Sequence, residues 1–284
     1  MIVKIDIDYP NCGLGDTICI LPYVEMYRQT TNNEVWFKTR FSMIKELVVN
    51  TYPLIKFGDP DTFDKIIVIK FNHDVPMQKS AADRLGLPNV ILDPKFDVIN
   101  KPRNIKQKYV TLSMQSSLQN RYWNYKDGWD ILIKELNTKY KLSVVCIDKF
   151  SNFGNGKTFN ETPRKAINRT GVELKDAINY IEHAEFHIGL SSGLSWVAHA
   201  VGKPVVIMKS ATEDWFEFQG NMITVNNESV CHGCLNRREI NREELGTWNF
   251  CPEHSGTNRM FECSKSITPK MFLDKMQPLL KNYI

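Results

Sequence analysis

The sequence predicts an α/β protein built from two parallel-sheet domains that face each other across a cleft. Three observations predict it. Short apolar strands alternate with helical stretches through most of the chain, the order that builds a parallel sheet wrapped by helices. Two small-residue turns, Gly13-Leu14-Gly15-Asp16 and Ser191-Ser192-Gly193-Leu194, each follow a strand and open a helix, as a nucleotide-binding βα unit does. Between the halves the composition changes: residues 93–108 read DPKFDVINKPRNIKQK, polar and broken by Pro94 and Pro102, which marks a linker. We divide the chain into domains at 1–105 and 106–284.

A length of 284 residues holds two domains of ordinary size, and 42% hydrophobic with 24% charged residues is an ordinary globular composition. The net charge of +4 is compatible with an anionic ligand or nucleic acid. No apolar run approaches the ~18 residues of a membrane span, and no signal peptide precedes the first strand. The expectation is a protein of the cytoplasm of its host cell, whether cellular or viral, with no membrane partner.

Val3 to Ile7 alternate as a strand, and Thr17 to Thr30 follow as a long amphipathic helix. A strand at Glu34–Lys38, a helix from Ser42, a strand at Lys65–Lys70 and a helix from Met77 to Leu85 complete the first domain. The second opens with a strand at Tyr109–Met114, a helix over Asp127–Tyr140 and a strand at Leu142–Asp148. A loop with Gly154 and Gly156 leads to a helix at Leu174–His183, a strand at Phe186–Gly189, the helix begun at Gly193 and a strand at Val205–Met208. The chain closes on an amphipathic helix, Pro269–Leu280, with Thr268 as its N-cap.

Residues 231–263 break this grammar. Cys231 and Cys234 form a C-x-x-C, and Cys251 and Cys263 follow on the returning chain among Gly233, Gly246, Pro252 and Gly256. Four thiolates can close a tetrahedral cage on zinc or iron, and such a segment draws its order from the metal. Two disulfides are the other reading, and the absence of a secretory signal disfavours them. His232 and His254 sit beside the cysteines and could replace one as ligand, but read as flanking residues.

Three stretches can carry chemistry. Ser191, Ser192, Gly193 and Leu194 open a helix whose N–H groups and dipole favour an anion; a plain N-cap is the bland alternative. In QSSLQNRYWNYKDGW, residues 115–129, Ser116, Ser117, Arg121 and Lys126 stand among aromatics. Cations there would neutralise a diphosphate leaving group, stacking aromatics would suit nucleic-acid bases, and a solvated loop would do neither. Asp16, behind the Gly13-Leu14-Gly15 loop, is placed to take a proton or to complement the helix dipole, and the residues alone favour the second. His73, His187 and His199 read as structural, and Cys12, Cys19 and Cys146 as ordinary thiols.

The two turns, extended as GLSSGLSWVAHAVGKP over residues 189–204, resemble the lipopolysaccharide heptosyltransferase superfamily. The RYWNYKDGW stretch and the CHGC…CPEHSGTNRMFEC…ITPKM tail are similar to its bacterial autotransporter heptosyltransferase branch. The resemblance implies the GT-B fold, two Rossmann-like domains with the donor in the cleft. It implies Asp16 as catalytic base and Ser192, Gly193 and Leu194 at the nucleotide diphosphate. Arg121 stands where the branch has a cation, usually lysine, and Cys231, Cys234, Cys251 and Cys263 would hold a structural iron, in preference to zinc. The branch carries an extra N-terminal region that the sequence given does not show.

The expected function is inverting transfer of a sugar from a nucleotide-diphosphate donor, ADP-heptose-like or a UDP-sugar. No metal is needed in the chemistry. The acceptor is a hydroxyl on a macromolecule: a protein serine or threonine, or a hydroxylated base of modified DNA. The DNA reading is motivated by the missing extra acceptor region, the basic linker Lys95–Lys108 and the aromatic-basic loop. Homo-oligomers are compatible with this reading. The competing class is a metal-ribbon module that binds nucleic acid or protein without transferase activity.

Overall fold

The structure is a computed structural model and describes residues 1–8, 12–97, 99–155, 158–240 and 249–283. Gly156 and Gly246 lie outside the described residues. The first half contains β1 (Ile2–Ile7), α1 (Leu14–Thr31), β2 (Glu34–Lys38), α2 (Ile44–Leu47), β3 (Lys56–Phe57), β4 (Lys65–Ile69) and α3 (Met77–Leu85). Its four strands pair in the order β3-β2-β1-β4, all parallel.

The second half contains β5 (Tyr109–Leu112), α4 (Gly128–Thr138), β6 (Ser143–Cys146), β7 (Asn152–Asn155), β8 (Thr158–Glu161), β9 (Ile167–Asn168) and α5 (Leu174–His183). It continues through β10 (His187–Leu190), α6 (Gly193–Ala200), β11 (Val205–Met208), β12 (Met222–Val225), α7 (Glu262–Lys265) and α8 (Pro269–Leu280). Six of these strands form a parallel sheet in the order β12-β11-β10-β5-β6-β9. β7 and β8 make a separate antiparallel hairpin.

The strand orders say where a ligand belongs. In the first sheet the chain leaves β1 toward β2 on one side and later returns to pair β4 on the other. In the second, β5 has β6 on one side and β10 on the other. Each sheet therefore reverses direction at one point, between β1 and β4 and between β5 and β10. Open parallel sheets bind ligands at that reversal, off the carboxyl ends of the strands.

Strands β5, β10 and β11 are buried at every residue, as expected of parallel strands covered on both faces. The helix predicted as amphipathic is instead buried on most sides: Thr17 to Val24 are all buried. The reason lies outside its own half, since α1 packs against both α3 and α6. Gly15 and Gly193 allow that approach. A Cβ on Gly15 would lie 2.9 Å from Trp196 Cδ1, and one on Gly193 2.8 Å from Leu14 Cβ. At the far end Thr268 caps α8, its Oγ1 accepting Met271 N–H at 3.2 Å.

The linker is pinned rather than loose. Phe96 N–H donates to Ala200 O at 3.1 Å, Asp97 N–H to Leu47 O at 2.8 Å, and Ile99 N–H to Glu182 Oε1 at 2.7 Å. Three of its cations are engaged within the chain as well. Lys101 pairs with Asp176 at 2.7 Å, Arg103 donates to the carbonyls of Ile105 and Gln107, and Lys108 lies over the Tyr283 ring.

Candidate active site

Both reversal points open into one cleft of about 550 Å³, within the usual range for a small-ligand site. From the first sheet, Asp8, the Gly13–Asp16 turn, Lys70, Phe71 and His73 line it. From the second come Gln115, Ser116, Ser117, Arg121, the Ser191–Gly193 turn, Trp196, Phe216 and Glu217. The two turns singled out in the sequence thus meet across one space.

Asp16 sits in the first turn of α1, where its Oδ2 accepts Gly13 N–H at 2.5 Å. That bond orients the carboxylate and caps the helix, so the dipole role and the cleft position coexist in one residue. Burial raises the Asp16 pKa above the ordinary aspartate value; the Gly13 hydrogen bond and the charges of Arg121 and Arg40 oppose the rise. A carboxylate made more basic than usual, facing a cleft, suits proton abstraction.

Arg121 ends a single 3₁₀ turn, Gln119–Arg121. Its Nη1 donates to Ser191 O at 3.3 Å, and its Nε is buried without a hydrogen-bond partner. Burial lowers its pKa, and the charges of Glu217 and Asp16 oppose the shift. A guanidinium with donors to spare at a helix N-terminus is an anion site. Ser192 is the N-cap of α6 and makes no side-chain cap bond. Ser191 differs from expectation: its hydroxyl donates to Glu217 Oε1, so that proton is not aimed at a ligand.

Ser116 is buried and Ser117 exposed, and both line the cleft. Behind them, the buried Asp148 accepts Met114 N–H at 2.8 Å and Gln115 N–H at 3.2 Å, which fixes the start of this loop. Lys126 does not join the site. It is exposed beside Asp127, whose positive φ of 54° turns the chain into α4. Leu194 packs against the core instead of lining the cleft.

The aromatics expected to stack on bases are committed elsewhere. Tyr122, Trp123 and Trp129 are buried, Trp123 meets Trp129 edge-to-face at 4.8 Å, and its Nε1–H donates to Ile267 O at 2.7 Å. Of the linker cations, Lys101, Arg103 and Lys108 are likewise engaged within the chain, which weakens two of the motives for a DNA acceptor.

Sequence reasoning missed Glu217 and His73. Glu217 stands in an irregular loop with no motif. His73, read as structural, lines the cleft and stacks on Phe216 at 5.5 Å. His187 is structural as expected, buried between Thr111 Oγ1 and Ser113 Oγ at 3.0 Å each. His199 bonds Asp93 at 2.9 Å and stacks on Phe218.

The four cysteines of the C-terminal segment line a second, small cavity with Asn120, His232, Pro252 and Glu253. None of them lines the cleft. Burial first, and then the charges of the neighbouring cysteines, raise the pKa of Cys234 to about 11 and of Cys263 to about 12. Thiols that crowd one another in this way fit a cation, which would favour their thiolates. Asn120 Nδ2 donates to Cys234 Sγ at 3.7 Å and Phe261 N–H to Cys251 Sγ at 3.4 Å, the outer-shell bonds that metal thiolates take. Among the described residues, the ligand atoms that lie within 4.8 Å of one another are those of Cys231, Glu253 and His254. His254, with a buried and unsatisfied Nε2, is therefore closer to the donor set than a flanking residue would be. The segment is no free-standing ribbon. It is built onto the second sheet through Gly233 N–H to Ser210 O and Leu235 N–H to Ala211 O, and Asn236 Nδ2 reaches His73 O of the first half at 2.8 Å.

No helix among the described residues is long and apolar enough to cross a membrane. No family model matches the chain. It is 31% identical over 280 residues to autotransporter heptosyltransferase TibC of Escherichia coli O78:H11, covering 92% of this chain and 68% of that protein. It is equally 31% identical over 283 residues to autotransporter heptosyltransferase Aah of Escherichia coli, 93% of this chain and 71% of that one. The crystal structure of TibC from enterotoxigenic E. coli, an iron-containing dodecameric glycosyltransferase, superposes with a TM-score of 0.91 at 29% identity, over 99% of this chain and 77% of that chain. TibC in complex with ADP-D-beta-D-heptose superposes with a TM-score of 0.90 at 28% identity, over the same shares of the two chains. The E. coli ADP-heptose lipopolysaccharide heptosyltransferase II shares the fold, with a TM-score of 0.64 at 11% identity over 99% of each chain. The fold is GT-B, the protein is a nucleotide-sugar glycosyltransferase, and the chain belongs to the autotransporter heptosyltransferases.

Proposed function

We propose that the protein transfers heptose from ADP-heptose, with inversion, to a serine or threonine hydroxyl of an autotransporter protein. The observation that carries this reading is the cleft itself, where the two reversal points bring Asp16, Arg121 and the N-terminus of α6 to one space. Relatives named for this activity, and TibC bound to ADP-D-beta-D-heptose, support the choice of donor. Residues 1–105 form the acceptor side and 106–284 the donor side, as a homo-oligomer like dodecameric TibC.

Asp16 takes the proton of the acceptor hydroxyl. The oxygen attacks the anomeric carbon from the face opposite the diphosphate, a C–O bond forms, and the bond to the phosphate oxygen breaks. Arg121 and the N–H groups that open α6 at Gly193 receive the charge that develops on the departing diphosphate. Ser192 can add its hydroxyl, whereas Ser191 is committed to Glu217. The test is a thermal-shift comparison of ADP-heptose with a UDP-sugar, followed by transfer to an autotransporter passenger peptide. A donor at 100 times its Kd stabilises by about 2.7 kcal/mol, so ADP-heptose should raise Tm by several degrees and the UDP-sugar should not. No shift with ADP-heptose overturns the reading.

Cys231, Cys234, Cys251 and Cys263 would hold an iron ion, with His254 beside them. When bound, the ion cross-links the 231–234 turn to the returning chain, a structural role set apart from the cleft. Cys251→Ser should lose most of its metal by elemental analysis and about 5 °C of Tm, roughly 2 kcal/mol for a chain of this size. Retention of both metal and Tm would show that Cys251 is not a ligand.

A further inference from the structure

Among the described residues, Asp148 and Glu217 are the two buried carboxylates, and Glu217 is 1% exposed. The reaction just described gives Glu217 no part, yet it stands on the cleft wall against the Ser191–Gly193 turn. A negative charge beside the expected seat of a diphosphate opposes donor binding on simple electrostatic grounds. Its surroundings show what offsets that cost. Ser191 Oγ and Thr212 Oγ1 both donate to Oε1, the second at 2.8 Å. Of the charges that keep the buried Arg121 guanidinium protonated, Glu217 is the largest and Asp16 the next.

Arg121 thus shares one cleft with two carboxylates whose charges it feels, the proposed base on α1 and Glu217 on the donor side. Its one hydrogen bond runs to the carbonyl of Ser191, the residue whose hydroxyl Glu217 holds. A guanidinium closed on Asp16 would occupy the lone pairs the base needs and lower its basicity. We propose that Glu217 is a positioning residue that draws Arg121 to the donor side of the cleft and so leaves Asp16 open to take the acceptor proton. It acts by its charge, and through Ser191, which it and Arg121 grip from opposite ends. The inference rests on the transferase reading above.

Glu217→Gln separates charge from shape. The amide oxygen still accepts from Ser191 and Thr212, and only the negative charge is lost. Tm should stay within about 2 °C, roughly 1 kcal/mol. The kcat should fall by about 10- to 100-fold, with KM for ADP-heptose changed far less, and Glu217→Asp should recover most of the rate. Released from Glu217, Arg121 moves its charge toward Asp16. The groups that face Asp16 are Arg121, Arg40 and Cys12, so the acid limb of the kcat/KM profile should shift to lower pH. An NMR titration of the Asp16 carboxyl carbon reads that shift with no substrate present.

Wild-type kcat and an unmoved Asp16 titration in Glu217→Gln would overturn the inference. So would a large loss of Tm with an unmoved titration, which marks a packing role. A shifted titration in a protein that transfers nothing from ADP-heptose would leave the charge division standing and remove the transferase reading instead.

Discussion

Asp16→Asn should lower kcat/KM for heptose transfer by about 10²- to 10⁴-fold, the span that a positioned general base contributes, or roughly 3–5 kcal/mol of barrier. The substitution is nearly isosteric, and its amide oxygen can still accept Gly13 N–H, so the first turn of α1 keeps its cap. Donor affinity should be unchanged, since the diphosphate is held from the other side of the cleft. The wild-type rate should itself be lost on acidification. Burial raises the Asp16 pKa above that of an ordinary aspartate, so the proposed base takes up its proton, and activity is lost, at a higher pH than an ordinary aspartate would require. Turnover by the Asn variant within a few-fold of wild type would show that Asp16 is only a cap.

The role of Asp16 was open in the sequence because the two candidate roles use the same position. An aspartate in the first helical turn complements the dipole whether or not it faces a substrate. What separates the roles is α6, some 180 residues further on, which brings Arg121 and the second turn opposite. The βα grammar was readable because each unit is local: apolar strand, small-residue turn, helix. The contacts that make the site are not local. Gly15 against Trp196 and Gly193 against Leu14 are visible only once both sheets stand together, and they explain why α1 lacks the polar face expected of it. Glu217 and His73 sit in irregular loops whose residue types carry no periodicity, so only their place on the cleft wall identifies them. Lys126 was misplaced for the converse reason. Closeness in sequence to Arg121 suggested a shared task, but the chain turns at Asp127 and sends the lysine to solvent. The cysteine spacing marked the candidate metal segment, while the approach of His254 to Cys231 depends on how the chain returns.

Two buried groups behind the donor loop should hide each other's pH dependence. Burial raises the Asp148 pKa to about 7 from the ordinary aspartate value of 3.8. Between these values the native protein holds a proton that the unfolded chain has released, so Asp148 makes stability fall as pH rises from about 4 to about 7. Burial lowers His187 to about 3 from 6.5. Here the unfolded chain binds a proton that the native protein refuses, so stability falls as pH drops from about 6.5 to about 3. Each full shift corresponds to about 4–5 kcal/mol at 1.36 kcal/mol per pH unit. Over the shared window, roughly pH 4 to 6.5, the two slopes have opposite sign and cancel. Denaturant titrations of the wild type should show no net slope from this pair there. Asp148→Asn should uncover the histidine, with stability falling toward acid by about 1.4 kcal/mol per pH unit. His187→Asn should uncover the aspartate, with stability falling by a similar amount per unit toward neutral pH. The two residues share neighbours on adjacent strands: Asp148 holds Met114 and Gln115 at the exit of β5, and His187 bonds Thr111 and Ser113 of the same segment. Loss of either therefore also loosens the loop that carries Ser116 and Ser117, and donor affinity should weaken along with stability. If the wild type and Asp148→Asn showed the same pH slope between 4 and 6.5, Asp148 would not be holding a proton in the native protein.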